Sequence, residues 1–197
     1  MSSLPPVRGV SAVFRSILSA VVLLLVLSGC AAENAGDVEP ERYAQQVCTG
    51  LVGWRDGIAA DSAQLTGSLQ GAAGVASVRA RYTRFFAGAV RRTDELIATV
   101  RSAGAPNADE GLGYARDLIA AVERTRVGLA AAQKAFAALP TDDLAAYAAG
   151  ARRVRDSLST LFVQVGSTLD QLGGTYSDSG LNSAFGNDPA CQRLTGG

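Results

Sequence analysis

At 197 residues with 48% hydrophobic positions, the chain is long enough for one globular domain with appendages and too apolar to be intrinsically disordered. Its 18 basic and 18 acidic residues balance, so it lacks the polyelectrolyte signature of a nucleic-acid binder. With no histidine, a Ser-His-Asp triad, a Cys-His pair, a histidine-ligated metal and a Glu-x-x-His di-iron site are all excluded, and the initiator is the only methionine, so haem would lack its usual axial ligands. No cofactor is expected.

Residues 1–29 have the layout of an export signal: Arg8 and Arg15 in a basic n-region, an apolar run from Ile17 to Leu27, then small residues. The run is too short to cross a membrane, which takes about 18–20 apolar residues where this one offers roughly a dozen. Leu27-Ser28-Gly29-Cys30 resembles the lipobox of bacterial lipoproteins, in which the cysteine thiol receives a diacylglycerol and the signal is cut just before it. The resemblance implies a lipid on Cys30 and a protein held to the extracytoplasmic face of the cell membrane. The plainer alternative is an ordinary secretory signal that happens to end at a cysteine. Two acyl chains suffice for stable attachment, since each buried methylene contributes about 0.8 kcal/mol. Residues 30–39 then form the lipidated cysteine and a short polar tether carrying Glu33, Asp37 and Glu39. Removing residues 1–29 takes away two arginines and no acid, leaving 16 basic against 18 acidic residues and a net charge of −2.

Lipid on Cys30 would leave Cys48 and Cys191, an even pair in an oxidising compartment, and a disulfide between them is expected. The alternatives are two buried thiols or a metal site, but two distant cysteines without histidine make an incomplete zinc shell.

From residue 40 the apolar spacing is helical throughout, and no alternating strand pattern of useful length occurs. Helix one is expected over about 40–65, with Pro40 in its first turn and Tyr43, Val47, Leu51, Trp54 and Ile58 on one stripe. Gly50, Gly53 and Gly57 share a side, where a neighbouring backbone or ring could approach closely. After a Gly/Ser-rich loop or frayed end at 66–74, helix two is expected over about 74–103, ending near Gly104-Ala105-Pro106. Helix three, over about 108–139, would be capped by Asn107 or Asp109 and stop at Leu139-Pro140. Thr141-Asp142-Asp143 supplies a cap and helix-start acids for helix four, over about 142–172. Its stripe of Leu144, Tyr147, Ala151, Val154, Leu158, Leu161, Val165, Leu169 and Leu172 is expected to be buried. The tail, 175–197, has Leu181, Phe185, Cys191 and Leu194 to bury, with a short helical turn starting at Asp188-Pro189. The expected fold is therefore all-α: residues 40–197 form a four-helix up-down bundle whose tail is stapled to helix one by the disulfide.

No reaction centre emerges along these helices. Lys134, the sole lysine, has no serine three residues before it and reads as solvated, and Gly111-Leu-Gly113 is half of a dinucleotide fingerprint with no strand ahead of it. Asp109-Glu110 and Asp142-Asp143 fall where helix-start acids belong, and Asp94-Glu95 lies beside Arg91 and Arg92, where local ion pairing is the simpler account. Two features remain. Arg79, Arg81, Arg84, Arg91 and Arg92 on helix two, with Arg152, Arg153 and Arg155 on helix four, could meet anionic headgroups or cell-wall polymers, or could be a solvated face balanced by neighbouring acids. Trp54, Tyr82, Phe85 and Tyr147 could rim a cavity for a hydrophobic ligand, or could be plain core.

The mature part is similar to small helical secreted proteins and lipoproteins of actinobacteria, which commonly pair a cysteine early in helix one with one near the C-terminus, as Cys48 and Asp188-Pro189-Ala190-Cys191 stand here. That resemblance implies location and fold without an activity. The expected function is a membrane-anchored, non-enzymatic binding or scaffolding module of the cell envelope with a protein, cell-wall or lipid partner. The alternative is a carrier of lipid or another hydrophobic ligand.

Overall fold

Glu39 is the last extended residue of an N-terminal arm, and Pro40, whose ring fixes φ near the helical value and whose missing N–H would be unpaired there anyway, opens the first helix. In a computed structural model describing residues 36–177 and 180–195, six helices follow: α1 Pro40–Leu69, α2 Gly74–Ser102, α3 Gly111–Ala137, α4 Leu144–Thr175, α5 Leu181–Asn187 and α6 Pro189–Thr195. The signal segment, Cys30 and the start of the expected tether lie outside the described residues. No helix among the described residues is long and apolar enough to cross a membrane.

The all-α bundle expected from the spacing is the observed architecture. Successive long helices run antiparallel, as their cross-contacts require: Trp54 meets Thr93 and Gly50 meets Thr99 between α1 and α2, Asp94 meets Arg126 between α2 and α3, and Gly128 meets Leu161 between α3 and α4. The boundaries move where local chemistry overrides periodicity. Helix α1 runs on to Leu69, so the first four residues of the Gly/Ser-rich stretch continue the helix and residues 70–73 turn the chain. Helix α3 starts later than expected, and neither Asn107 nor Asp109 caps it. Glu110, in the left-handed region at φ 59°, precedes it without a side-chain cap, because residues 105–107 are engaged with the arm. Asp143 does cap α4, accepting from the Ala146 amide at 2.9 Å.

The core has two large clusters and a small one around the cystine, formed by Cys48, Val52, Ala190 and Cys191. One large cluster lies where α1 and α3 begin and α2 and α4 end, around Tyr43, Val47, Val100, Leu118, Leu172 and Tyr176. The other large cluster lies at the opposite end, around Phe86, Phe136, Leu139, Tyr147 and Val154. Two buried threonines between them are satisfied: Thr93 donates to the Ala89 carbonyl and accepts from the Trp54 indole at 3.0 Å, and Thr125 donates to the Ala121 carbonyl.

Helix α4 departs most from expectation. It packs on α3 but not along α1, so nothing between Arg155 and Gln171 is fully buried, and Phe162 and Val163 are 46% and 71% exposed. Of the stripe read as core, Tyr147, Val154 and Leu172 are buried; Leu144 and Leu169 are exposed, and Leu158, Leu161 and Val165 are half-buried. The tail covers part of this opening. Asp188 accepts from the Ala190 and Cys191 amides, starting α6, and Cys191 joins Cys48 of α1 with their Cα atoms 5.0 Å apart.

Candidate functional site

The arm fixes one end of the molecule. Gly36 N donates to the Pro106 carbonyl at 2.9 Å, Val38 N to the Ala105 carbonyl at 3.1 Å, and Asn107 N to the Val38 carbonyl at 2.6 Å. Gly36 is required for this approach, since a Cβ there would fall 2.1 Å from the Ala105 oxygen. Of the stretch 30–39 read as the lipidated cysteine and a short polar tether, the last four residues are part of the folded domain, held by backbone bonds that no side-chain pattern announces.

Beside this arm, at the cystine end, lies an apolar groove of about 420 Å³ between α1, α3, the last turns of α4 and the tail. Leu51, Leu118, Leu169, Leu172, Phe185 and Leu194 line it. Tyr114 also faces it, and burial pushes its phenol up to about 12. The rim is held by Tyr176, whose hydroxyl donates to Asp117 at 2.9 Å and ties the end of α4 to α3. Asp117 is held below the usual carboxylate range, first by the Arg116 hydrogen bond and further by that of Tyr176.

A second groove, of about 350 Å³, runs between α1 and α2 in the other half of the bundle. Arg81, Arg84 and Arg91 come from α2 with Gly88 between them; Asp61, Gln64 and Ser68 face them from α1. These positions recur at three and four residues on each helix, so each set forms one stripe, and antiparallel packing sets the two stripes face to face. Among the described residues Asp61 is the only acid in the lining, and it is engaged by the bidentate guanidinium of Arg92, which holds its carboxyl below the usual range. Arg91 has only a long helical pair to Glu95 at 3.8 Å, Arg81 donates to the Gly71 carbonyl, and Arg84 has no ion-pair partner among the described residues.

The eight arginines singled out by sequence therefore do not form one patch. Arg79 is spent on the Leu139 carbonyl at 2.7 Å, Arg92 on Asp61, and Arg155 on Asp156, while Arg152 and Arg153 lie on α4, the latter beside an α3–α4 groove of about 620 Å³. The local account of Asp94-Glu95 holds for Glu95 alone, since Asp94 reaches across to Arg126 on α3. Nor do Trp54, Tyr82, Phe85 and Tyr147 rim a common cavity. Trp54 packs with the cystine-end cluster and bonds Thr93, whereas the other three belong to the opposite cluster around Phe136. Cys48, Asp188 and Cys191 converge as a metal shell would, but their sulfurs are bonded to each other and Asp188 accepts from two amides. Lys134 is exposed.

Sequence reasoning passed over Asp61, Gln64 and Ser68, and over Asp117 and Tyr176. Ser68 lay in the stretch expected as a loop, so the stripe 61, 64, 65 and 68 forms only because α1 runs on to Leu69, and only its pairing with 81, 84, 88 and 91 makes a groove. No family model matches the chain, and no curated protein or solved structure matches it significantly. Fold and grooves thus define a disulfide-stapled helical bundle with two candidate binding surfaces, one apolar and one cationic.

Proposed function

We propose that this chain is a lipid-anchored extracytoplasmic lipoprotein whose helical domain is a non-enzymatic binding or scaffolding module of the cell envelope. The observation that carries the reading is Leu27-Ser28-Gly29-Cys30 at the end of the apolar run; Cys30 also lies only six residues before Gly36, which is bonded to the Pro106 carbonyl. At about 3.3–3.6 Å per residue, the two are at most about 22 Å apart. A lipid on Cys30 would keep the arm end of the bundle within that reach of the bilayer. The disulfide adds support, because such bonds persist in oxidising exteriors. Mass spectrometry of the N-terminal peptide from native membranes tests the anchor. The expected result is a mature N-terminal Cys30 carrying diacylglycerol, and a Cys30→Ala protein that no longer matures at that point or sediments with membranes. Unchanged maturation and unchanged membrane binding in Cys30→Ala would overturn the reading.

A second reading, a carrier of lipid or another hydrophobic ligand, is favoured by one observation: the apolar groove opens at the end the anchor would hold near the bilayer, and its volume of about 420 Å³ is within the usual range for ligand sites. Native mass spectrometry of the protein extracted with its lipids distinguishes the two, since a carrier retains a lipid mass beyond its own acyl groups.

A further inference from the structure

We infer that the α1–α2 groove is a binding site for a linear polyanion bearing closely spaced phosphate groups. Three observations on the groove carry this. First, its charge is surplus: of the three arginines that line it, Arg84 has no ion-pair partner among the described residues, Arg81 donates only to the neutral Gly71 carbonyl and Arg91 makes only a long exposed pair to Glu95, while Asp61 is already matched by Arg92. Such a concentration is not a by-product of a basic protein, because the chain after residue 29 has 16 basic and 18 acidic residues. Second, the cations form a row. At about 1.5 Å of rise per residue, Arg81, Arg84 and Arg91 spread over about 15 Å of the α2 axis, which suits a chain of repeated anionic groups better than one small anion. Guanidinium also matches phosphate geometry in a way a lysine point charge does not. Third, the groove is open and offers neutral partners. A Cβ on Gly88 would approach nothing closer than 3.5 Å, and Gln64 and Ser68 can hydrogen-bond bridging oxygens.

Position selects a polymer over a lipid headgroup as the source of phosphate, and this step alone rests on the anchored reading. Residues 61–68 lie 21 or more residues beyond Pro40, roughly 30 Å or more along α1 from the arm. An anchor at Cys30 would hold the arm, and not this groove, within a short tether's reach of the headgroups. The groove would meet phosphate-bearing polymers that extend away from the bilayer.

The test uses the full chain, purified in detergent, and measures binding of fluorescent inorganic polyphosphate by anisotropy at low and physiological salt. Binding at low salt should weaken at least tenfold as salt rises, because it releases counterions. Arg84→Ala/Arg91→Ala should lose at least tenfold in affinity while its helical circular dichroism and melting temperature stay at the wild-type values. Arg152→Ala/Arg155→Ala, on α4, should bind as wild type. Undiminished binding by the α2 variant, or equal loss in the α4 variant, would overturn the assignment. Orthophosphate competing as well, per phosphate, as the polymer would overturn the linear ligand, and tighter binding to anionic phospholipid vesicles than to polyphosphate would overturn the polymer source. A Cys30→Ala chain should bind polyphosphate unchanged, so failure of the anchor and failure of this site are read separately.

Discussion

The guanidinium of Arg92 crosses from α2 to α1 and donates two hydrogen bonds to Asp61, from Nε at 2.7 Å and from Nη2 at 3.0 Å. It passes over Gly57, where a Cβ would lie 2.6 Å from Nη1, so the close approach expected at the α1 glycines is made there by a side chain rather than by a backbone or ring. The geometry is bidentate and partly shielded, which makes this the ion pair to test.

Asp61→Asn should cost about 1 kcal/mol at neutral pH, the range of a well-formed, half-shielded pair. Its pH dependence has a definite sign. The folded carboxyl is held below its unfolded value by Arg92, so the contribution is present above about pH 3.9 and is lost as pH falls through the lower folded value. Thermal melts of wild type and variant at pH 7 and pH 3 check this. The gap at pH 7 should narrow at pH 3, and a gap of constant size would mean that the pair stabilises through packing rather than charge.

The cystine closes most of the domain into one loop, its cysteines being 143 positions apart. In the ideal chain model this stabilises by about 5 kcal/mol, and native disulfides of small domains contribute about 2–5 kcal/mol. Cys48→Ser/Cys191→Ser should therefore melt well below wild type. The loss should be uneven, since α5 and α6 pack chiefly on α1. Amide exchange in 181–195 should accelerate before that of the α2–α3 core, whereas uniform acceleration would show that the staple secures the whole bundle and not its tail.

Two glycines in helix interiors should respond with opposite signs. Gly53 has nothing within 4 Å of where a Cβ would stand, so Gly53→Ala removes a helix-propensity penalty and should stabilise by about 0.5–1 kcal/mol. Gly150 is buried, and a Cβ there would fall 2.2 Å from Leu139 Cδ2 at the α3–α4 contact, so Gly150→Ala should destabilise by about 1–3 kcal/mol through overpacking. Denaturant midpoints measure both. A stabilising Gly150→Ala would mean that Leu139 can repack at little cost.

The four long helices and their direction were legible because each carries a stripe at three- and four-residue spacing, whereas α5 was not expected and α4 runs through Gly173-Gly174, its expected stop, to Thr175. Spacing reveals a stripe without revealing what covers it. Leu158, Leu161, Val165 and Leu169 have the periodicity of core, yet α1 does not pack along α4. The arginine groove was half legible. Residues 81, 84 and 91 share a face on their own, but grouped with Arg79 and Arg92 they look scattered, and only the tertiary partners Leu139 and Asp61 remove those two from the set. The arm at 36–38 was not legible at all, because it is held by backbone bonds.

Tyr43 is wholly buried against the rings of Tyr114 and Phe185, and its hydroxyl has no hydrogen-bond partner among the described residues. A buried hydroxyl without a partner has lost its hydration, so Tyr43→Phe should cost nothing and could raise stability by about 1 kcal/mol. Alkaline pH exposes the same burial from the other side. Desolvation raises the Tyr43 phenol strongly and the Tyr114 phenol to about 12, while in the unfolded chain both ionise near 10. Both contributions are complete below about pH 10 and are lost as pH rises through the folded values, because the unfolded chain releases those protons first. Wild type should therefore lose helix above pH 10 together with the rise of tyrosinate absorbance near 295 nm, and Tyr43→Phe should move that transition to higher pH. If Tyr43→Phe melts lower at pH 7 and unfolds at the same alkaline pH, the hydroxyl has a partner such as a bound water, and the cystine-end core holds a polar site.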